Sequence, residues 1–96
     1  MTHYLLLIHA NPQTAPAPAE WSAFLQAAEQ SGLFRGGSAI GGRTILGDAA
    51  IAHTSDHIVG YMRFDADDKQ PLLDLLHTHP VIAHGGTIEL CELPET

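Results

Sequence analysis

Histidine is the residue type that stands out in this chain, because seven histidines accompany only four lysines and arginines in 96 residues. Imidazoles titrate near neutral pH, so a group of them can transfer protons, hold an anion when protonated or bind a divalent metal. Which chemistry is available depends on which histidines the fold brings together. Five of them stand at the ends of predicted elements: His9, His57, His77, His79 and His84.

The hydrophobic pattern predicts alternating strands and helices. Short apolar and β-branched runs predict strands, and apolar residues at helical spacing predict helices, the first with Gly32 as its C-terminal cap. This order is the split βαβ pattern of ferredoxin-like α+β domains, with four antiparallel strands and two helices on one face. The predicted elements are a strand over 3–9, a helix from Ala19 to Gly32, short extended pieces at 36–40 and 41–47, a strand over 57–64, a helix that ends before Pro80, and a strand over 87–93.

One end of this predicted sheet collects most of the histidines. The first strand runs antiparallel to the third and the fourth, so its end lies beside the points where they begin. His9 closes the first strand, Asp56 and His57 open the third, and His84 precedes the fourth. The pattern therefore indicates His9 and His57 as candidate catalytic acid–base residues, with Asp56 as a candidate that orients one of them.

Four further residues are candidates for ligand binding, and each has a structural alternative. His79 and His84 belong to the predicted rim, but His79, like His77, could be a solvated helix cap, and a residue before a double glycine is often exposed. Trp21 could form the wall of an apolar pocket, although helical spacing favours core packing. Arg63 could bind a carboxylate ligand, although a surface ion pair is the commoner role.

The sequence predicts no metal site and identifies no cofactor. His77 and His79 are two residues apart at a helix end, which does not place both rings on one helix face as a spacing of four would. Cys91 is the single cysteine, which excludes an internal disulfide and any multi-cysteine zinc site. Its place in the last strand favours a small packed residue over a nucleophile.

Length and charge limit the classes of function. A chain of 96 residues is expected to form a single domain, residues 1–96. Its formal net charge of −7 would repel phosphate backbones, so nucleic acid is not an expected partner. No apolar run reaches the roughly 20 residues of a membrane helix and no signal segment is evident, so no membrane partner and a cytoplasmic location are expected.

Four segments spread over nearly the whole chain carry a family resemblance: residues 3–8 (HYLLLI), Gly36-Gly37, Val59-Gly-Tyr61 and residues 80–94 (PVIAHGGTIELCELP). Together they resemble the YCII-related family, also known by its DGPF motif. The resemblance implies a dimeric α+β barrel fold and a small bacterial protein. For many members of that family no activity is established.

The resemblance also implies where catalytic residues would stand. Some members are proposed to be enzymes with a His–Asp dyad, with the histidine early in the first helix and the aspartate before the proline that follows the second helix. Here Trp21, or Glu20 with a one-residue slip, and His79 take these places, and residues 54–57 (TSDH) stand where DGPF would fall. The dyad chemistry is therefore not carried over to this chain.

Both the resemblance and the half-covered sheet predict a homodimer. The face without helices is expected to carry Leu5 or Leu7, Tyr61 and Leu90, which are too apolar for a surface facing water. Face-to-face association of two copies would cover them. Two functions remain open: an enzyme that acts on a small molecule in a histidine-lined cleft, or a non-catalytic dimeric module that binds a metabolite or metal or assists a partner protein.

Overall fold

The computed structural model describes residues 1–95, which form a four-stranded sheet with helices packed on one face. The strands are β1 (Thr2–His9), β2 (Phe34–Ala39), β3 (Ile58–Ala66) and β4 (Ile88–Leu93), and the helices are α1 (Pro18–Ser31), α2 (Lys69–Leu76) and α3 (Pro80–Ala83). The sheet order is β2-β3-β1-β4, and every neighbouring pair is antiparallel. The α+β class and the pairing of β1 with β3 and β4 are confirmed.

The core lies between the sheet and the helices. Alternate residues of β1 point to the same side, so Tyr4, Leu6 and Ile8 are buried while their neighbours are not. Gly32 ends α1 in the left-handed conformation, with φ of 74°, as the sequence predicts. The remaining buried apolar residues come from β3 and the three helices: Phe24, Ala28, Met62, Phe64, Ala66, Leu72, Leu76 and Val81.

The other face of the sheet, here called the open face, carries the partly buried residues Leu5, Leu7, Tyr61 and Cys91. The prediction that Leu90 also lies there is wrong. Leu90 stands directly opposite Leu6 in the β1–β4 pairing, and opposite residues of antiparallel strands share a face, so Leu90 packs against the core.

The segment between α1 and β3 differs most from the sequence prediction. β2 begins at Phe34, whose ring packs 5.4 Å from that of Phe64, and it ends at Ala39. The glycine-rich residues 41–47 form no strand and belong to a long exposed loop over 40–57. This loop widens the molecule: the radius of gyration is 14.5 Å, against about 12.5 Å for a compact chain of this length. Its exposed apolar residues are Ile45, Leu46 and Ile51.

The second half of the chain contains one helix more than predicted. β3 continues through Ala66, so the cap of α2 is Asp68, whose carboxylate accepts the N–H of Gln70 at 3.1 Å. Pro80 does not simply end a helix, because it begins the short helix α3.

Gly86 allows two connecting segments to approach each other closely. Its N–H donates to the carbonyl of Val81 at 2.7 Å, which closes the turn after α3. A Cβ atom at this position would lie 2.5 Å from a methyl carbon of Val81 and 3.0 Å from the backbone of Pro12. The loop over 10–17, which joins β1 to α1, therefore packs directly on the turn after α3.

Gly86→Ala should lower the free energy of unfolding by about 1–3 kcal/mol, because the added methyl group must displace Val81 or the backbone of Pro12. Urea denaturation measures the change. Gly41→Ala is the matched control, since a Cβ there meets nothing within 4 Å. Equal stability of the two variants would contradict the close packing of these segments.

Candidate functional site

Two adjoining hollows lie between α1 and the sheet, and together they are called the α1 groove. The first hollow has a volume of about 430 Å³ and the second about 390 Å³. Ile8, Trp21 and Val59 line both of them, which makes the hollows neighbours. The first hollow is lined in addition by Leu25, Phe34, Gly37, Ser38, Ala39, Gly60, Tyr61 and Met62, and the second by His9, Ala10, residues 12–16 and Val81.

The groove exists because the sheet has small residues beneath α1. On the side of β2 that faces α1 stand Gly37, opposite Met62, and Ala39, opposite Gly60, and neither has a bulky side chain to fill the space. Gly60 continues the gap on β3, where a Cβ would lie 3.2 Å from Ile8 and 3.3 Å from the carbonyl of Ser38. The groove is therefore bounded by Trp21 and Leu25, which stand one turn apart on α1.

His9 lies at the end of the second hollow and is held by β4. Its Nε2 is 2.9 Å from Oε1 of Glu89, and its ring lies 5.5 Å from that of His57. Asp56 is exposed and makes no hydrogen bond or ion pair with the rest of residues 1–95. The carboxylate beside His9 is thus Glu89, which the sequence analysis missed. The predicted β1–β4 pairing was the signal that could have found it, because Glu89 stands opposite Leu7.

His84 joins two other parts of the chain through both ring nitrogens. Its Nδ1 is 2.6 Å from Oγ1 of Thr14, and its Nε2 is 2.6 Å from Oε2 of Glu20. The other carboxylate oxygen of Glu20 accepts the N–H of Ala17 at 3.1 Å. The hydrogen bond from Ala17, and then that from His84, lower the pKa of Glu20. No sequence motif indicated Thr14, because a lone threonine in a proline-rich loop carries no signature.

His79 is fully buried, so its interpretation as a solvated residue or a cap at a helix C-terminus is wrong. It caps the N-terminus of α3, where its Nδ1 accepts the N–H of Val81 at 3.1 Å. The ring is wedged between Trp21 and Phe24, with centroids 5.0 and 4.7 Å away. Since Nδ1 accepts, the proton is on Nε2, which has no hydrogen-bond partner among residues 1–95. Burial lowers the pKa of His79 to about 4, so the ring is neutral at pH 7.

Arg63 lies at the opposite end of the open face from the histidines. Its guanidinium donates to the carbonyl of Arg35 at 3.0 Å, and the ion pair there is made by Arg35 with Asp65. His3 is also hydrogen-bonded to Asp65, at 2.6 Å, and this bond is the main reason that the pKa of Asp65 is lowered.

The structure brings the predicted site residues together only in part. His9 meets His57, and Trp21 meets His79, the two places where the resemblance puts a dyad. Asp56 and Arg63 join neither pair. Within residues 1–95, no group of three or more histidine, cysteine, aspartate or glutamate side chains is arranged to hold a metal ion. The same residues contain no helix long and apolar enough to cross a membrane.

A solved structure of a small-molecule enzyme shares this α+β fold. It is 5-chloro-2-hydroxyhydroquinone dehydrochlorinase (TftG) from Burkholderia phenoliruptrix AC1100, in complex with 2,5-dihydroxybenzoquinone. The TM-score is 0.56 at 12% sequence identity, with 98% of this chain and 95% of that chain covered. No family model and no curated protein sequence matches the chain. At this identity the likeness shows a common fold.

The buried His79 should make stability depend on pH. Its pKa is lowered from 6.5 to about 4, so the unfolded state binds more protons between these values and stability is lost as the pH falls through this range. Between about pH 7.5 and 5.0 the loss should be about 2 kcal/mol. This window lies above the ordinary pKa values of Glu20 (4.5) and Asp65 (3.8).

Urea denaturation at the two pH values measures this loss, and variants assign it. His79→Asn keeps a capping side chain but cannot titrate, so its stability should change less with pH. His77→Asn alters an exposed histidine of the same segment and should keep the wild-type dependence. The same dependence in His79→Asn as in the wild type would refute the assignment.

Proposed function

We propose that the chain is a YCII-like protein with a ferredoxin-like fold that binds a small, mainly apolar ring compound in the α1 groove and acts on it as an enzyme. The observation that carries the proposal is the first hollow, about 430 Å³ and lined mainly by apolar residues next to the single tryptophan, Trp21. Pockets of this size and lining are typical of small-molecule sites.

The lining favours a flat ring with few polar substituents. Trp21 and Phe34 offer aromatic surfaces, and Met62 and Leu25 offer apolar contact. Polar groups are concentrated near the end of the second hollow, at His9. The enzyme with the related fold acts on a chlorinated hydroxyhydroquinone, and this supports phenols and quinones as the compounds to test first.

We propose His9 for proton transfer, because it borders the second hollow at the end of β1 while its ring is hydrogen-bonded to Glu89 on the open face. Glu89, as a carboxylate, accepts from Nε2–H of His9, which leaves Nδ1 as the basic nitrogen. A histidine oriented by a carboxylate is the usual arrangement of a general base. In this proposal Glu89 takes the orienting role that the sequence suggested for Asp56, and His57 lies beside the pair at 5.5 Å.

A second candidate function is binding without catalysis. The observation in its favour is that Trp21 and the buried, neutral His79 stand at the dyad places of the resembling family. A tryptophan cannot transfer a proton as a histidine would, and a buried imidazole packed between two aromatic rings has no contact with solvent. In that case the groove would hold its ligand unchanged.

We also propose that two copies associate through the open face. Leu5, Leu7 and Tyr61 are only partly buried there, and the molecule is 18 Å thick along its shortest axis, about one sheet and one helix layer. A second copy would place the two open faces together and bury these residues.

Calorimetric titration with 2,5-dihydroxybenzoquinone tests the groove. We expect saturable binding of one molecule per chain, lost in Ala39→Phe because the new ring fills the first hollow. Ala49→Phe adds the same ring to the exposed loop over 40–57 and should bind as the wild type does. His9→Gln should keep binding but abolish chloride release from 5-chloro-2-hydroxyhydroquinone. Saturable binding without turnover by the wild type would favour the second function, and absence of binding would refute both.

Light scattering tests the dimer. At micromolar concentration the wild type should have about twice the chain mass of 10.3 kDa. Leu7→Glu introduces a charge at the centre of the open face and should give the monomer mass, whereas Gln26→Glu on the exposed side of α1 should remain dimeric. A wild-type monomer, or a dimeric Leu7→Glu variant, would contradict association through this face.

A further inference from the structure

We propose that Thr14, His84 and Glu20 form a nucleophile–base–carboxylate triad that transfers acyl groups from small neutral esters. The proposal rests on the proposed function in one respect, because the substrate would occupy the second hollow of the same groove. It adds a reaction class and three residues that the His9–Glu89 pair does not involve.

The hydrogen bonds connect the three groups in the order that such a triad requires. Glu20 is a carboxylate and can only accept, so Nε2 of His84 carries the proton of their 2.6 Å hydrogen bond. Nδ1 of the same neutral ring then has a free lone pair, and it accepts the hydroxyl proton of Thr14 at 2.6 Å. A hydroxyl bonded to a base that is itself oriented by a third group is the signature of an activated nucleophile.

The backbone holds the three residues in place without a ligand. Thr14 is in the loop before α1, Glu20 is in the first turn of α1, and His84 is the C-cap of α3. The N–H of Gln13 donates to the carbonyl of His84 at 2.8 Å, which fixes the loop beside the imidazole. The N–H of Ala17 donates to Oε1 of Glu20, and Oε2 of the same carboxylate is bonded to His84. Both oxygens of Glu20 are therefore held in place.

The same hydrogen bonds would form if the three residues only stabilised the loop, but two features indicate more than a structural role. Thr14 is exposed and lines the second hollow, so its hydroxyl is open to a ligand. The N–H groups of Thr14 and Ala15 take part in no hydrogen bond with any other of residues 1–95. Free N–H donors beside a nucleophile can stabilise an oxyanion.

The reaction balances with water as the only co-reactant. Oγ1 of Thr14 attacks the ester carbonyl carbon, and its proton passes to Nδ1 of His84. The bond between the carbonyl carbon and the ester oxygen breaks, and His84 gives the proton to the leaving alcohol. Water, deprotonated by His84, then releases the carboxylic acid and restores the hydroxyl of Thr14. Glu20 is a positioning residue, which holds the ring and stabilises its protonated form.

The hollow selects the class of ester. It has a volume of about 390 Å³ and is bordered by Ile8, Trp21, Val59 and Val81, which suits an apolar acyl or aryl group. The chain has a net charge of −7 and Glu20 is hydrogen-bonded to the base His84, so anionic esters would be repelled. We therefore expect short-chain neutral esters to react.

The test uses p-nitrophenyl butyrate and the full chain. We expect a burst of p-nitrophenol and, by mass spectrometry after acid quenching, one butyryl group on the peptide that contains Thr14. Thr14→Val should abolish both, and Thr14→Ser should restore them. His84→Gln should lower kcat/KM about 100-fold. Glu20→Gln should lower kcat and change the pH profile of kcat/KM, which a structural role would leave unmoved.

Matched controls are Thr54→Val and His77→Gln, an exposed threonine and an exposed histidine outside the groove, which should react as the wild type does. Butyrylation of Lys69, the N-terminus or histidines only, or an unchanged burst in a folded Thr14→Val variant, would overturn the triad. If Thr14→Val does not fold, absence of a Thr14 adduct in the wild type decides instead. Quinone binding without acylation would support the proposed function and refute the triad. Acylation without quinone binding would support the triad and refute the proposed function.

Discussion

The structure depends on how β1 is packed between β3 and β4. Because side chains alternate along a strand, Tyr4, Leu6 and Ile8 enter the core and Leu5 and Leu7 face outward. Because β3 and β4 do not pair with each other, β1 sets the position of one relative to the other and of the side chains at its own ends. At one end the register brings His9 to Glu89, and at the other it brings His3 to Asp65.

A second constraint is the turn from α2 through α3 to β4. Pro80 cannot continue α2 with a normal hydrogen bond, and His79 satisfies the N–H of Val81 instead. The His79 ring then fills the space between Trp21 and Phe24, so α1 is fixed to α3 through aromatic contacts. This contact holds Trp21 at the wall shared by the two hollows, and it leaves His84 at the end of α3, beside the first turn of α1.

The sequence predicted the elements whose signal is local. The apolar run of β1, the helical spacing before Gly32 and the α+β class follow from periodicity and glycine chemistry, and the structure confirms them. The loop over 40–57 and the face of Leu90 were not predictable in the same way. Short glycine-rich pieces carry little periodicity, and the face of a strand depends on a register that a shift of one residue reverses.

The sequence was enough to predict that two of the histidines lie close together, but not which carboxylates are hydrogen-bonded to the histidines. Antiparallel pairing was enough to place His9 near His57. The carboxylates that orient the imidazoles, Glu89 and Glu20, come from β4 and α1, at separations of 80 and 64 residues from their histidines. The contact of Glu89 depends on the register of the β1–β4 pairing, and that of Glu20 depends on how α1 packs beside the turn after α3. The sequence predicted the pairing but neither the register nor the packing.

In the proposed functions, the two histidine–carboxylate pairs would add proton transfer to an apolar binding surface. The first hollow is lined mainly by apolar residues, and the second adds His9 and Thr14 at its border. Each of these imidazoles is hydrogen-bonded to a carboxylate and is only partly buried. His79, enclosed by aromatic rings and with no carboxylate beside it, shows the opposite case, in which burial alone holds the imidazole neutral. In the two proposed reactions, proton transfer would take place where β1, α1 and the turn before β4 meet, because His9 and His84 lie there.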